Sequence, residues 1–147
     1  MRNLLFACLL FSYSLVVEAA QLASIKVVHE KVSDETSQCG ITSIANIAAV
    51  ESIFRQNRIS IASDSQVFAY IRVSSIKDSV GCFTAVTLQL YFFTNANIPK
   101  TSSRVLVVAE LCERGTMLTG ASANMQSRVA DNLRSFAEIC ISEVEKK

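Results

Sequence analysis

Apolar side chains recur every three or four residues over most of the chain, the spacing that places them on one face of a helix. This pattern predicts helices over residues 39–58, 82–95, 102–115 and 122–145. The positions that carry it are, in chain order, Ile44, Ile47, Val50 and Phe54; Phe83, Val86, Leu90 and Phe93; Val105, Val108 and Cys112; and Met125, Val129, Leu133, Phe136, Cys140 and Val144. The last stripe is the longest and predicts a long C-terminal helix.

Two stretches have a second interpretation as β-strands. Residues 67–73 are mostly β-branched or aromatic, as in a strand, but Ser63 and Asp64 could cap a helix, so a short helix is favoured within residues 59–81. Residues 105–108 are four consecutive apolar residues, which would also suit a buried strand. A helix is favoured there as well.

Turn-forming residues are scarce, with one proline and four glycines in 147 residues. Sandwiches and barrels need turns at short intervals, so both are disfavoured. The clearest break is at residues 95–100, where Pro99 pushes Ile98 toward an extended conformation. We therefore expect an all-α fold: a compact, disulfide-linked bundle of four to five helices over residues 39–147, preceded by a polar N-terminal arm at residues 20–38. Whether residues 59–81 span the bundle stays open.

The N-terminus has the pattern of a secretory signal peptide. Arg2 precedes an apolar run, residues 4–17, that is too short to cross a bilayer. Val17 and Ala19 suit the two small-residue positions before a cleavage site, which predicts a signal peptide of residues 1–19. No later segment offers the roughly 18 uninterrupted apolar residues of a membrane span. The mature chain is expected to be secreted and extracellular, with no membrane span.

Removal of the signal peptide takes Cys8 with it and leaves four cysteines: Cys39, Cys82, Cys112 and Cys140. An even number in an oxidising compartment predicts two structural disulfides. If the break at residues 95–100 turns two helices antiparallel, Cys82 and Cys112 lie at the same height and pair. Cys39 would then pair with Cys140, provided that residues 59–81 stay at one end of the bundle.

Charge and chemistry exclude several classes of function. Fourteen basic and thirteen acidic residues give a net charge of +1, and their even scatter predicts no nucleic-acid partner. His29 is the only histidine, and it lies in the polar arm, where we expect it to be solvated and remote from any nucleophile. The sequence predicts neither a catalytic site nor a metal or cofactor site, so the protein is not expected to be an enzyme.

Residues 90–93 place three aromatic side chains within one helical turn. They could form a lipid pocket or a partner-binding patch, although a helix buried on most sides is favoured. Binding of a small apolar ligand would require a cavity among the helices, lined by Phe83, Leu90, Phe93 and Phe136.

The cysteine-bearing segments have a resemblance to a known class. The Cys39-Gly40 pair opening a helix, the central Gly81-Cys82-Phe83, and Cys112 and Cys140 in apolar helices resemble the small secreted helical proteins of insect male accessory glands. The resemblance implies a seminal-fluid protein that binds an unknown extracellular protein in the reproductive tract. A short helical cytokine and a carrier of small apolar ligands are the alternatives. All three are secreted, non-enzymatic binding proteins.

Overall fold

The computed structural model describes residues 22–97 and 104–146. They form a mixed α/β fold in which three helices accompany one five-stranded sheet. The elements are, in chain order, β1 (Ser24–His29), α1 (Asp34–Gln38), α2 (Ser43–Gln56), β2 (Ser60–Ile61), β3 (Val67–Lys77), β4 (Cys82–Asn97), β5 (Arg104–Gly120) and α3 (Ser122–Val144).

The predicted all-α bundle is therefore wrong. Two predicted helices are confirmed as α2 and α3, whereas the stretches 59–81 and 82–95, and the described part of 102–115, form strands β2 to β5. The strand alternative for residues 105–108 was correct, but these four residues are exposed on an edge strand and not buried. Every second side chain is buried from Ala69 to Ser75 in β3 and from Cys82 to Leu90 in β4, which is the pattern of a strand. Some of the apolar residues in these stretches also fit the helical spacing, and the prediction followed that spacing.

The strands lie in the order β2-β1-β3-β4-β5. β1 runs parallel to both β2 and β3, while β3, β4 and β5 are antiparallel to one another. The pairing of β4 with β5 shifts at one point, because Leu90 lies opposite Cys112 and Tyr91 lies opposite Glu110. Leu111 is thus the extra residue of a β-bulge in the edge strand β5.

Helices α2 and α3 pack against each other and against one face of the sheet. The side chains between them form the core, among them Ile25, Val50, Phe54, Ile71, Val86, Leu88, Leu90, Met125, Val129 and Leu133. No helix of the described residues covers the opposite face in this way, and we call it the open face. Residues Arg104–Gly120 form one edge of the sheet.

The predicted polar arm is part of the fold rather than a solvated extension. Residues 24–29 form β1, which lies between β2 and β3 and carries the fully buried Ile25. Ser33 then caps α1, accepting a hydrogen bond from the Thr36 amide. Thr36 is buried, and its hydroxyl oxygen accepts a hydrogen bond from the Ser75 amide at 3.0 Å. The arm prediction failed because a short parallel strand needs no hairpin signal beside it.

All four described cysteines are in disulfides, which confirms the predicted number, but the predicted pairing is wrong. Cys39 is bonded to Cys82 and Cys112 to Cys140, with Cα–Cα distances of 6.0 and 5.5 Å. The prediction assumed helices on either side of the break. In the antiparallel strands Cys82 lies opposite Gly120, whereas Cys112 precedes Gly120 by eight residues on β5 and is roughly 26 Å away at the rise of a strand.

The predicted signal peptide, residues 1–19, lies outside the described residues. Among those described, no helix is both long and apolar enough to cross a membrane. Two disulfides fit a protein of an oxidising, extracellular compartment.

Candidate binding surface

The open face carries a concentration of aromatic side chains that no pattern in one segment reveals. Directly opposed residues of neighbouring strands point to the same face of a sheet, so the strand register defines two rows across four strands. One row is Lys26, Phe68, Tyr91 and Glu110. The next row is Val28, Tyr70, Gln89 and Glu113.

The central residues of these rows, together with Arg72 and Phe93, line a shallow groove of about 350 Å³. Its apolar lining comes from four rings that we call the aromatic strip: Phe68, Tyr70, Tyr91 and Phe93. The rings of Phe68 and Phe93 meet edge to face with centroids 4.7 Å apart, a geometry that aromatic pairs prefer. Because the sheet backbone fixes all four positions, the strip exists before any partner arrives.

Charged groups of opposite sign lie at the two sides of the aromatic strip. On the β1 side, the Lys26 ammonium lies 5.5 Å from the Phe68 ring centre and the Arg72 guanidinium 5.8 Å from the Tyr70 ring centre, both within cation–π range. Arg72 Nε also donates to Glu30 at 2.9 Å, and this carboxylate is the main reason that the pKa of Arg72 is raised. The β5 side carries the acidic residues Glu110 and Glu113.

The acidic residues of β5 affect the pKa of Tyr91. Its pKa is raised above the ordinary value, first because the phenol is partly buried and then because Glu110 and Glu113 disfavour a second negative charge nearby. At physiological pH the Tyr91 hydroxyl is therefore a neutral donor and acceptor within the strip.

The titration of Tyr91 can be measured. We expect its phenolate absorbance to develop at a higher pH than in a model peptide, and the Glu110→Gln variant to move this step to lower pH because one repelling charge is gone. Ultraviolet titration of both proteins, with Tyr91→Phe identifying the Tyr91 component, measures the shift. Identical curves for the Glu110→Gln variant and the unmodified protein would contradict the assignment.

The four residues predicted to line an apolar cavity do not come together. Phe83 and Phe93 are at open-face positions of β4, whereas Leu90 and Phe136 are buried in the core on the helix side. The prediction failed because β4 is a strand, whose successive side chains point to opposite faces. Only Phe93 of the four belongs to the aromatic strip, and no pattern in the sequence places Phe68 and Tyr70 beside it.

His29 is the end of a hydrogen-bonded chain and not a solvated arm residue. The Thr42 backbone amide donates to Gln126 Oε1 at 2.7 Å, which leaves Gln126 Nε2 to donate to Asn46 Oδ1 at 2.9 Å. Asn46 Nδ2 then donates to His29 Nε2 at 2.9 Å. With Nε2 accepting, the ring proton is on Nδ1, which donates to the Glu30 carbonyl. This chain joins β1, α2 and α3 and fixes the histidine in a structural role.

The described part of the chain holds no group of three or more histidine, cysteine, aspartate or glutamate side chains that could bind a metal ion. Glu110 and Glu113 are both exposed on the edge strand, and each contributes to the electrostatics of Tyr91. The open face combines aromatic surface, an amide and charges of both signs, and aromatic residues are among the types enriched at protein interfaces.

No family model and no curated protein matches this chain. Among solved structures, it is similar to a PelC dodecamer subunit from Paraburkholderia phytofirmans, with a TM-score of 0.39 and 13% identity over 83% of this chain and 85% of that one. It is also similar to a minor lipoprotein from Acinetobacter baumannii, with a TM-score of 0.33 and 6% identity over 85% and 94% of the two chains. At these TM-scores neither likeness assigns a fold family or a function.

Proposed function

We propose that this protein is a secreted, non-enzymatic binding protein, and that its open face binds an extracellular polypeptide. The single observation that carries the proposal is the aromatic strip, which the paired strands β3 and β4 hold on a sheet face that α2 and α3 leave uncovered. Tyrosine, phenylalanine and arginine are the residue types enriched at the centres of protein interfaces.

The shape of the groove favours a polypeptide over a small ligand. Pockets for small molecules enclose most of the ligand surface, whereas this groove is a shallow depression on a sheet. Lys26 on one side and Glu110 on the other select a partner that presents apolar side chains between an acidic and a basic residue. A carrier of small apolar ligands needed the cavity that Phe83, Leu90, Phe93 and Phe136 do not form.

Two of the classes that the sequence suggested, the helical cytokines and the accessory-gland proteins, imply a helical fold that this chain does not have. A short helical cytokine requires a four-helix core, which the five-stranded sheet replaces. The resemblance to accessory-gland proteins implied a helical fold, and that implication is wrong. A role in the reproductive tract stays a prediction, and the tissue in which the protein is expressed tests it.

Selection from a random peptide library displayed on phage tests the binding surface directly. We expect the mature protein to enrich peptides with apolar residues flanked by opposite charges. Tyr91→Thr, which removes an aromatic ring but keeps a strand-forming residue, is expected to weaken their binding at least about thirty-fold, the loss typical of an interface hot spot. The dissociation constant can be measured by fluorescence anisotropy.

Met117→Thr is the matched control, because Met117 is 75% exposed on the same face of the sheet, away from the groove. Its affinity for the selected peptides should stay within about two-fold of the unmodified protein, as for a surface change outside the contact. Equal weakening by both substitutions, or a library that yields no common pattern, would refute the open face as the binding site.

A further inference from the structure

The edge strand β5 extends past the elements that support the rest of the sheet. β3 pairs with β4 only as far as Phe92, whereas β4 continues to pair with β5 up to Asn97 and Arg104. Helix α3 ends at Val144, which borders a small groove together with Leu111, so the helix ends at the level of the bulge. Residues Arg104–Val107 of β5, which lie opposite residues 94–97 of β4, are therefore half of a two-stranded ribbon, and such ribbons are marginally stable in water by themselves.

From Val105 onward, the β5 strand of this ribbon is apolar on both of its faces. Val105 is 39% exposed and Val107 37% exposed, while Leu106 and Val108 on the open-face side are 64% and 51% exposed. Soluble proteins normally protect a sheet edge with a bulge, charges or proline. β5 has its bulge at Leu111, and no charge interrupts the run of residues 105–109.

We propose that residues Arg104–Glu110 of β5 pair antiparallel with the same segment of a second copy of this chain. A two-fold axis perpendicular to the sheet passes through the Val107–Val107 pair and joins two five-stranded sheets into one. Alternate residues of an edge strand turn their amide and carbonyl groups outward, so the backbone groups needed for this ladder are available along β5.

The charges specify this register. Around an axis at Val107, Leu106 faces Val108 of the second copy, and Arg104 faces Glu110. Arg104 and Glu110 lie on the same face of the strand, so both symmetry-related pairs join opposite charges. An axis at Leu106 would place Arg104 against Val108, and an axis at Val108 would place it against Cys112, beyond the bulge.

The pairing also has a consequence for the open face. A two-fold axis perpendicular to the sheet keeps the open faces of both copies on the same side. The two aromatic strips would then lie on one continuous surface, which allows a partner with two binding segments to engage both. The dimer itself does not depend on the proposed function, because β5 pairs through its edge and not through the aromatic strip.

Charge exchange tests the register in the full mature protein. We expect sedimentation velocity to show a concentration-dependent dimer. Arg104→Glu and Glu110→Arg, each alone, should weaken it roughly ten-fold, because both symmetry-related pairs become repulsive. The double variant should restore the dimer. A protein that stays monomeric up to millimolar concentration, or single variants that dimerise like the unmodified chain, would overturn the proposal.

Two single-cysteine additions give an independent readout. In a Val107→Cys variant the new thiols face each other across the axis, at about 5 Å between Cβ atoms, which permits a disulfide. In a Val105→Cys variant they are roughly 13 Å apart along the strands. Val105 is the matched control because it lies on the same side of β5 with nearly the same exposure. Covalent dimer from the first variant alone supports the register, whereas equal crosslinking of both, or of neither, overturns it.

The proposals of a dimer and of a binding surface can be tested separately. Tyr91→Thr should leave the dimer intact, and the Arg104→Glu variant should still bind a selected peptide with the affinity of a single site. Loss of dimerisation in the Tyr91→Thr variant would show that the copies meet through their open faces and would overturn the edge-pairing proposal.

Discussion

Removal of the Cys39–Cys82 disulfide, by changing both cysteines to alanine, is expected to lower the free energy of unfolding by about 4 kcal/mol. The bond closes a sequence separation of 43 residues, and the chain-entropy model gives a loss of this size for such a loop. A domain of ordinary stability has about 5–15 kcal/mol in total. Guanidinium unfolding, followed by circular dichroism, measures the difference.

The position of this disulfide explains why its loss should be so damaging. Cys39 lies between α1 and α2, and Cys82 begins β4, so the bond fixes the connection between these two helices to the start of a strand that is paired on both sides. Both cysteines are fully buried or nearly so. Ile44→Ala is the control, because Ile44 is 80% exposed on α2 and should change stability by less than about 0.5 kcal/mol. A loss below about 1 kcal/mol for the double cysteine variant would contradict the expectation.

Helices α2 and α3 could be predicted because each has one apolar and one polar side. In α3 the buried residues Met125, Val129, Leu133 and Phe136 recur every three or four positions, and exposed charged residues separate them. That arrangement is typical of a helix that packs against the core through one of its faces. Ile44 is the exception in α2, since it belongs to the predicted stripe and is exposed.

Strand β4 could not be predicted by the same reasoning because it is apolar on both faces. Its helix-facing side buries Val86, Leu88 and Leu90, while its open-face side carries Phe83 and Phe93. When both faces are apolar, the alternation that identifies a strand disappears, and a subset of positions also fits the helical spacing. Its threonine and valine content was the remaining signal for a strand.

The candidate binding surface depends on the register between β3 and β4, which a single sequence does not reveal. Residues 90–93 were recognisable as an unusual aromatic group, and the open face indeed uses Tyr91 and Phe93. Phe68 and Tyr70 come from another strand, more than twenty positions earlier in the chain. Only the pairing of Phe68 with Tyr91 and of Tyr70 with Gln89 brings the groove together.

The Asn46→Ala substitution is expected to lower the free energy of unfolding by about 2–3 kcal/mol. Asn46 is fully buried and connects His29 of β1 to Gln126 of α3 through both of its amide atoms. Its removal leaves His29 Nε2 without a donor and Gln126 Nε2 without an acceptor, and each of these half-buried groups costs about 1 kcal/mol when unpaired, the lower end of the range for buried groups. Chemical denaturation of the variant measures the loss.

A double-mutant cycle separates this chain of hydrogen bonds from simple loss of packing. If Asn46 and Gln126 act as one unit, Gln126→Ala should cost much less in the Asn46→Ala background than alone, with a coupling energy of at least about 0.5 kcal/mol. Asn124→Ala is the matched control, because Asn124 is exposed in the first turn of α3 and should change stability by less than about 0.5 kcal/mol. Additive losses at Asn46 and Gln126 would mean that the two side chains stabilise the fold independently.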